Sequence, residues 1–149
     1  PGGGDMRFDL YAVGTIRLGE NSAAIDIEPR FADALLGLEM FSHILVFYWF
    51  HENDTPEGRR VLQLHPRADP ENPLCGVFAT HSPRRPNLIA LTTCRILSIR
   101  GTTIHIDRID ARDKSPVIDI KCYIPEEIDA ADVTLPDWVV QHGAGNPST

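Results

Sequence analysis

The chain reads as a mainly β, single-domain protein of antiparallel strands, a barrel or a sandwich, with one or two short helices. Three observations predict this. Six or more short runs are rich in β-branched and aromatic residues, and only one stretch has a convincing helical period. The length of 149 residues, 42% of them hydrophobic, suits one domain with one core.

Taken in order, residues 1–5, with three successive glycines, read as a leader or expression remnant ahead of a domain over 6–138. Segments 8–16 and 23–27 fit a strand pair around a Gly-containing break. Over 29–38, Pro29 suits a first helical turn, and Phe31, Leu35 and Leu38 recur at spacings of four and three. Segment 43–51 is apolar at nearly every position, so a strand there needs cover on both faces, from core, helix or a second subunit. A charged turn (52–60), a short strand (61–65) and a proline-rich loop (66–73) follow.

The run 76–87, GVFATHSPRRPN, breaks from a strand-like apolar stretch into a loop with two prolines, two arginines and an asparagine. Each proline fixes its own φ and pushes Ser82 or Arg85 before it toward extended geometry, so the loop loses little freedom on binding. Such a loop suits an anion or a polar cofactor, and the same composition also suits a solvated surface turn. Next comes a long apolar strand (88–99), turning at Arg100-Gly101 into 102–107, where Ile104 and Ile106 share one face. In 117–124, Ile118, Ile120, Cys122 and Ile124 alternate with Asp119, Lys121 and Tyr123. A flexible tail is expected over 139–149.

A formal charge of −7 and a pI near 5.2 argue against a broad non-specific nucleic-acid surface, so any RNA contact must be local. Cys75, Cys94 and Cys122 form no CxxC pair and leave one thiol over in any disulfide scheme, which predicts reduced thiols and a cytoplasmic protein. The six histidines, His43, His51, His65, His81, His105 and His142, lack ligand spacing, so no metal is predicted. No run approaches the ~18 apolar residues that span a bilayer. Absence of GxGxxG after a strand, of a P-loop, of GxSxG and of HExxH removes the common nucleotide and hydrolase folds.

Three blocks in order, GLEMFSH (37–43), GVFATHSPRRPN (76–87) and PVIDIKCYIP (116–125), resemble the TsaA-like family, also called TrmO- or YaeB-like. The resemblance covers roughly 8–125. It implies a β-barrel methyltransferase that uses S-adenosylmethionine without a Rossmann fold, methylates threonylcarbamoyl-adenosine beside the tRNA anticodon, and forms a homodimer. It places the cofactor against His51, Glu52, His81, Leu91 and the acidic turn Asp110, Ala111, Arg112, Asp113. Leu91 would be an apolar wall and the carboxylates acceptors for the ribose. Arg84 and Arg85 could grip phosphate oxygens, with Lys121 and Tyr123 on the substrate side. Asp119 is the candidate base, and Asn87 would fix the loop or bond the substrate. Relative to the family pattern, His81 replaces an arginine, Leu88 and Cys122 replace prolines, and Ala90 replaces a glycine. A sensor or interaction module that binds the cofactor without methyl transfer is the alternative, and so is a methyltransferase acting on a different acceptor.

Overall fold

The computed structural model describes residues 4–141; His142 and the remainder of the expected tail, and residues 1–3 of the expected leader, lie outside them. Among the described residues there are eight strands: β1 (Gly14–Leu18), β2 (Ala23–Ile27), β3 (His43–Trp49), β4 (Gln63–Leu64), β5 (Cys75–Gly76), β6 (Ile89–Arg100), β7 (Thr103–Ile106) and β8 (Pro116–Cys122). Six pair antiparallel in the order β1-β2-β7-β6-β3-β8, and β8 meets β1 again through Gly14↔Val117 and Thr15↔Pro116, closing the sheet into a barrel. The seam is short. Flanking bonds extend it: Val13 N–H to Val117 O (2.7 Å), Ile16 N–H to Ser115 O (2.9 Å) and Lys114 N–H to Ile16 O (2.8 Å). Two side-by-side residues, Gln63 and Leu64 of β4, pair with β5 in a separate small sheet.

The period-two pattern fills the barrel. Ile16, Ile25, Ile44, Val46, Cys94, Ile104, Ile106 and Val117 all point inward and are essentially inaccessible to solvent. Across β1, β2 and β7 the outer face is tied by Asp26, which accepts two bonds from Arg17 (2.8 and 3.0 Å) and one from the Thr103 hydroxyl (3.0 Å). The Arg17 bond holds the Asp26 carboxyl below its ordinary range, against the opposing effect of burial. Between β6 and β7, Gly101 at φ 60° makes the turn in a region most side chains avoid.

Several sequence expectations need correction. Within segment 8–16 only residues 14–16 are strand, the start of β1; Phe8, Leu10 and Tyr11 stay exposed, Leu10 lining a shallow groove with Trp49, Pro116 and Ile118. The expected helix over 29–38 is two 3₁₀ turns, Pro29–Leu35 and Leu38–Met40, divided by Gly37 at φ 89°. The strand expected over 61–65 shrinks to Gln63–Leu64, and the apolar stretch before the arginine loop becomes a 3₁₀ turn, Val77–Ala79, that turns Phe78 out to solvent.

Strand β3 is not covered equally on both faces: Ile44, Val46 and Tyr48 are buried, while Leu45, Phe47 and Trp49 between them are half-buried. In β8 the expected alternation breaks at a bulge. Phe47 pairs with Asp119 but Tyr48 pairs with Val117, so two residues of β8 oppose one step of β3. Val117 therefore faces the core and Ile118 does not.

Two outcomes follow. Val117→Thr, which sets a hydroxyl in the core, is expected to cost roughly 1–3 kcal/mol in urea denaturation, and Ile118→Thr less than about 1 kcal/mol. Burial pushes the Cys94 thiol from 9.0 up to about 12. Because the folded value is the higher one, this contribution is intact below pH 9.0 and is lost as pH rises toward about 12, where only the unfolded thiol first ionises. Stability of the native chain should fall over that window more steeply than that of Cys94→Ala.

Candidate functional site

Antiparallel pairing brings three connections together at one end of the barrel. Trp49, the last residue of β3, pairs with Ile89, the first of β6, and Tyr48 pairs with Val117 near the start of β8. The segment leaving β3, the arginine loop entering β6 and the turn entering β8 therefore surround one cleft of about 560 Å³. That size accommodates a nucleoside-sized ligand.

Tyr48, Ile89, Ala90 and Leu91 form the floor, and Leu91 is half exposed there rather than buried in the core. The first wall is Phe50, His51, Glu52 and Asn53, in a 3₁₀ turn (His51–Asn53) that continues into a short helix, α1 (Pro56–Arg60). Pro56 and the Thr55 cap, whose hydroxyl accepts from Gly58 N–H at 3.0 Å, start that helix. Gly58 passes so close to the Asn53 carbonyl that a Cβ would collide with it.

The second wall is Thr80, His81, Pro83 and Arg85. Hydrogen bonds hold this loop in addition to its prolines: Thr80 Oγ1 donates to Val77 O (2.9 Å), Ser82 N–H to Thr80 Oγ1 (3.2 Å) and Arg84 N–H to Ser82 Oγ (3.1 Å). Arg85 donates to the Thr80 and Ser82 carbonyls (2.9 and 3.2 Å), so this guanidinium braces its own loop. Arg84 is exposed and outside the cleft lining.

The third wall is Asp110, Ala111, Arg112 and Ser115. The Tyr48 hydroxyl donates to the Asp110 carbonyl and lies 3.0 Å from the Thr92 hydroxyl, pinning this turn to the floor. Burial holds the Tyr48 phenol above its ordinary value, so it remains a donor through neutral pH. The buried Ser115 hydroxyl donates to Arg112 O at 2.6 Å. Arg112 Nε lies 3.6 Å from Glu52 Oε1, so the first and third walls meet in an exposed ion pair across the mouth.

The structure thus gathers His51, Glu52, His81, Arg85, Leu91, Asp110, Ala111 and Arg112 around one space. It does not place Asp113, Arg84, Asn87, Asp119, Lys121 or Tyr123 in the lining. Asp113 accepts from Leu18 N–H at 2.9 Å beside the barrel seam, and Asp119 sits opposite Phe47 and accepts from Ile120 N–H at 2.8 Å. Tyr48, Phe50, Asn53, Thr80, Pro83, Ile89, Ala90 and Ser115 were missed. The polar tip of Tyr48 in the apolar segment 43–51 called for a partner, but Trp49 and the two histidines there carry polar atoms as well, so composition alone did not single it out. Among the described residues, no group of three or more His, Cys, Asp or Glu side chains could hold a metal ion, and no helix is long and apolar enough to cross a membrane.

A small β-barrel with a polar-rimmed, apolar-floored cleft at one end defines the class. Residues 15–130 match the tRNA-methyltransferase O N-terminal domain. A probable S-adenosyl-L-methionine-binding protein of Methanocaldococcus jannaschii is 44% identical over 78% of this chain and 92% of its own length. One of Pyrococcus horikoshii, with the same description, is 48% identical over 82% and 86%. The human tRNA (adenine(37)-N6)-methyltransferase is 36% identical over 78% of this chain, which spans only 26% of that protein. The crystal structure of TrmO from Pseudomonas aeruginosa superimposes with a TM-score of 0.65 at 26% identity, covering 87% of this chain and 62% of that one. The chain belongs to the tRNA-methyltransferase O N-terminal domain family.

Removing the hydroxyl that ties floor to turn tests the site's construction. Tyr48→Phe should lower folding stability by about 1 kcal/mol, with faster protease cleavage within 107–115 as the Asp110 carbonyl loses its partner.

Proposed function

We propose that this chain is an S-adenosylmethionine-dependent methyltransferase that methylates an adenosine beside the anticodon of tRNA, the threonylcarbamoyl-modified base. One observation carries the reading: seven of the eight cofactor positions that the family pattern points to, far apart in sequence, line a single cleft of nucleoside size. Its donor set fits the cofactor. Leu91, Ile89 and Phe50 offer apolar surface for a base, Asp110 and Glu52 offer acceptors for hydroxyls or an ammonium, and Arg112 offers a cation for a carboxylate. When bound, the cofactor supplies an electrophilic methyl group on a sulfonium.

The protein's part is to position and to exclude water, since a direct displacement needs the acceptor about 3 Å from the methyl and asks little covalent work of side chains. The braced arginine loop and the pinned 110–115 turn give rigid walls for that purpose. Glu52 and Asp110 are the carboxylates at the cleft and are the proton acceptors we propose for the attacking nitrogen, in place of Asp119 on the outer strand face. Exposed Arg84 would meet phosphate oxygens at the loop's outer edge. Exposed Leu62, Leu74 and Phe78 beside that loop are the surface we propose for a homodimer, with work in the cytoplasm, where tRNA occurs.

His81 favours a second reading. It stands where the family pattern has an arginine, and the M. jannaschii and P. horikoshii relatives are named for cofactor binding alone. In that reading the cleft binds without transfer. Incubation with methyl-labelled cofactor and tRNA bearing threonylcarbamoyl-adenosine decides: the methyltransferase reading predicts label in the tRNA, lost in Leu91→Asp. It also predicts lower activity in His81→Arg, whereas a binding module shows no label in the native chain and gains it, if at all, only with the arginine.

A further inference from the structure

We infer that Arg59 is a positioning residue for the cofactor cleft, a strut behind its first two walls that sets the distance between the segment leaving β3 and the loop entering β6. The inference rests on the methyltransferase reading for its role and on geometry for its existence. Arg59 lies in the last turn of α1, outside the cleft lining, and works on four neighbours at once. Its Nε donates to the Pro86 carbonyl at 2.8 Å, and its Nη2 lies 3.4 Å from Asn87 Oδ1. Its Nη1 stands 3.7 Å from Asp54 Oδ1, and its Cζ lies over Trp49, 5.6 Å from the ring centroid.

The loop closes on itself. Trp49 Nε1 donates to the other Asp54 oxygen at 3.0 Å, so indole, carboxylate and guanidinium fix one another before Arg59 reaches across to the loop. Trp49 ends β3, and Pro86 and Asn87 precede β6, so both feet of the strut stand on barrel ends. His51, Glu52 and Asn53 lie between Trp49 and Asp54, and Thr80, His81, Pro83 and Arg85 precede Pro86. The strut thus spans the bases of both walls without touching the space between them.

This also assigns Asn87, which does not line the cleft: its carbonyl oxygen faces Arg59, making it part of the brace. Only a planar fork can serve the Pro86 carbonyl, Asn87 and Asp54 at once while its charge faces the indole; an ammonium cannot replace it.

The test compares Arg59→Lys and Arg59→Met with Arg60→Met, the neighbouring exposed arginine. Cofactor affinity is measured by calorimetry, and KM and kcat by methyl transfer to tRNA. Both Arg59 variants should raise the cofactor Kd and KM about tenfold while kcat at saturation stays within about twofold; Arg60→Met should change neither. Should Arg59→Met fail to fold, Arg59→Lys, which keeps charge and stem, carries the comparison. An unchanged Kd in Arg59→Lys, or a fall in kcat at constant KM as expected from a reduced folded fraction, overturns the inference. If the native chain itself binds no cofactor, the functional reading fails instead. The strut is then read by amide exchange over 80–87, faster in Arg59→Lys if it exists and equal to native if it does not.

Discussion

The structure depends on the antiparallel registration of β3 against both of its neighbours. β3 pairs along its length with β6 and, through one bulge, with β8, so its exit and their entrances share an end of the barrel. Every cleft wall hangs from that end. A slip of one residue in either ladder would turn Ile44, Val46 and Tyr48 outward, which the burial of the isoleucine-rich interior forbids. Core packing thereby fixes where the functional loops meet, although no cleft residue other than Tyr48 and Ala90 belongs to the core cluster.

What the barrel does not fix, local bracing does. The arginine loop carries two prolines and five side-chain bonds, so its shape exists before a ligand arrives and little ordering entropy opposes binding. The 110–115 turn is held from below by Tyr48 and along its edge by the seam with β1. In contrast, the ion pair between Glu52 and Arg112 at the mouth is long and exposed, worth little by itself and easily parted by a ligand that carries both charges. A rigid frame with a yielding rim suits a ligand that must enter whole.

Much of this was legible in the sequence. The alternation in 102–107 set Ile104 and Ile106 on one face, and both are buried in the core. The proline and arginine content of 82–86 announced a shaped loop, and it is one. The bulge at Ile118 was hidden because a shift of one residue leaves composition untouched and depends on the partner strand. Segment 8–13 looked like a strand because its apolar residues suit a sheet, but no strand edge remains for it once β8 closes onto β1. Of the cleft lining, His51, Glu52, His81, Leu91 and 110–112 were indicated by family pattern, whereas Tyr48 and Asn53 required knowing which strand ends coincide. The Arg59 brace could not be read at all, since its partners Trp49, Asp54, Pro86 and Asn87 are joined only by the fold.

The central claim is that the space between the segment leaving β3, the arginine loop and the 110–115 turn is where the cofactor sits. A crystal structure of the protein with S-adenosylmethionine tests it most directly. The account predicts density in that cleft, with the base on Leu91 and polar contacts to the residues of 51–53 and 110–112. Density elsewhere on the barrel, or none at saturating cofactor with the cleft open to solvent, would contradict it.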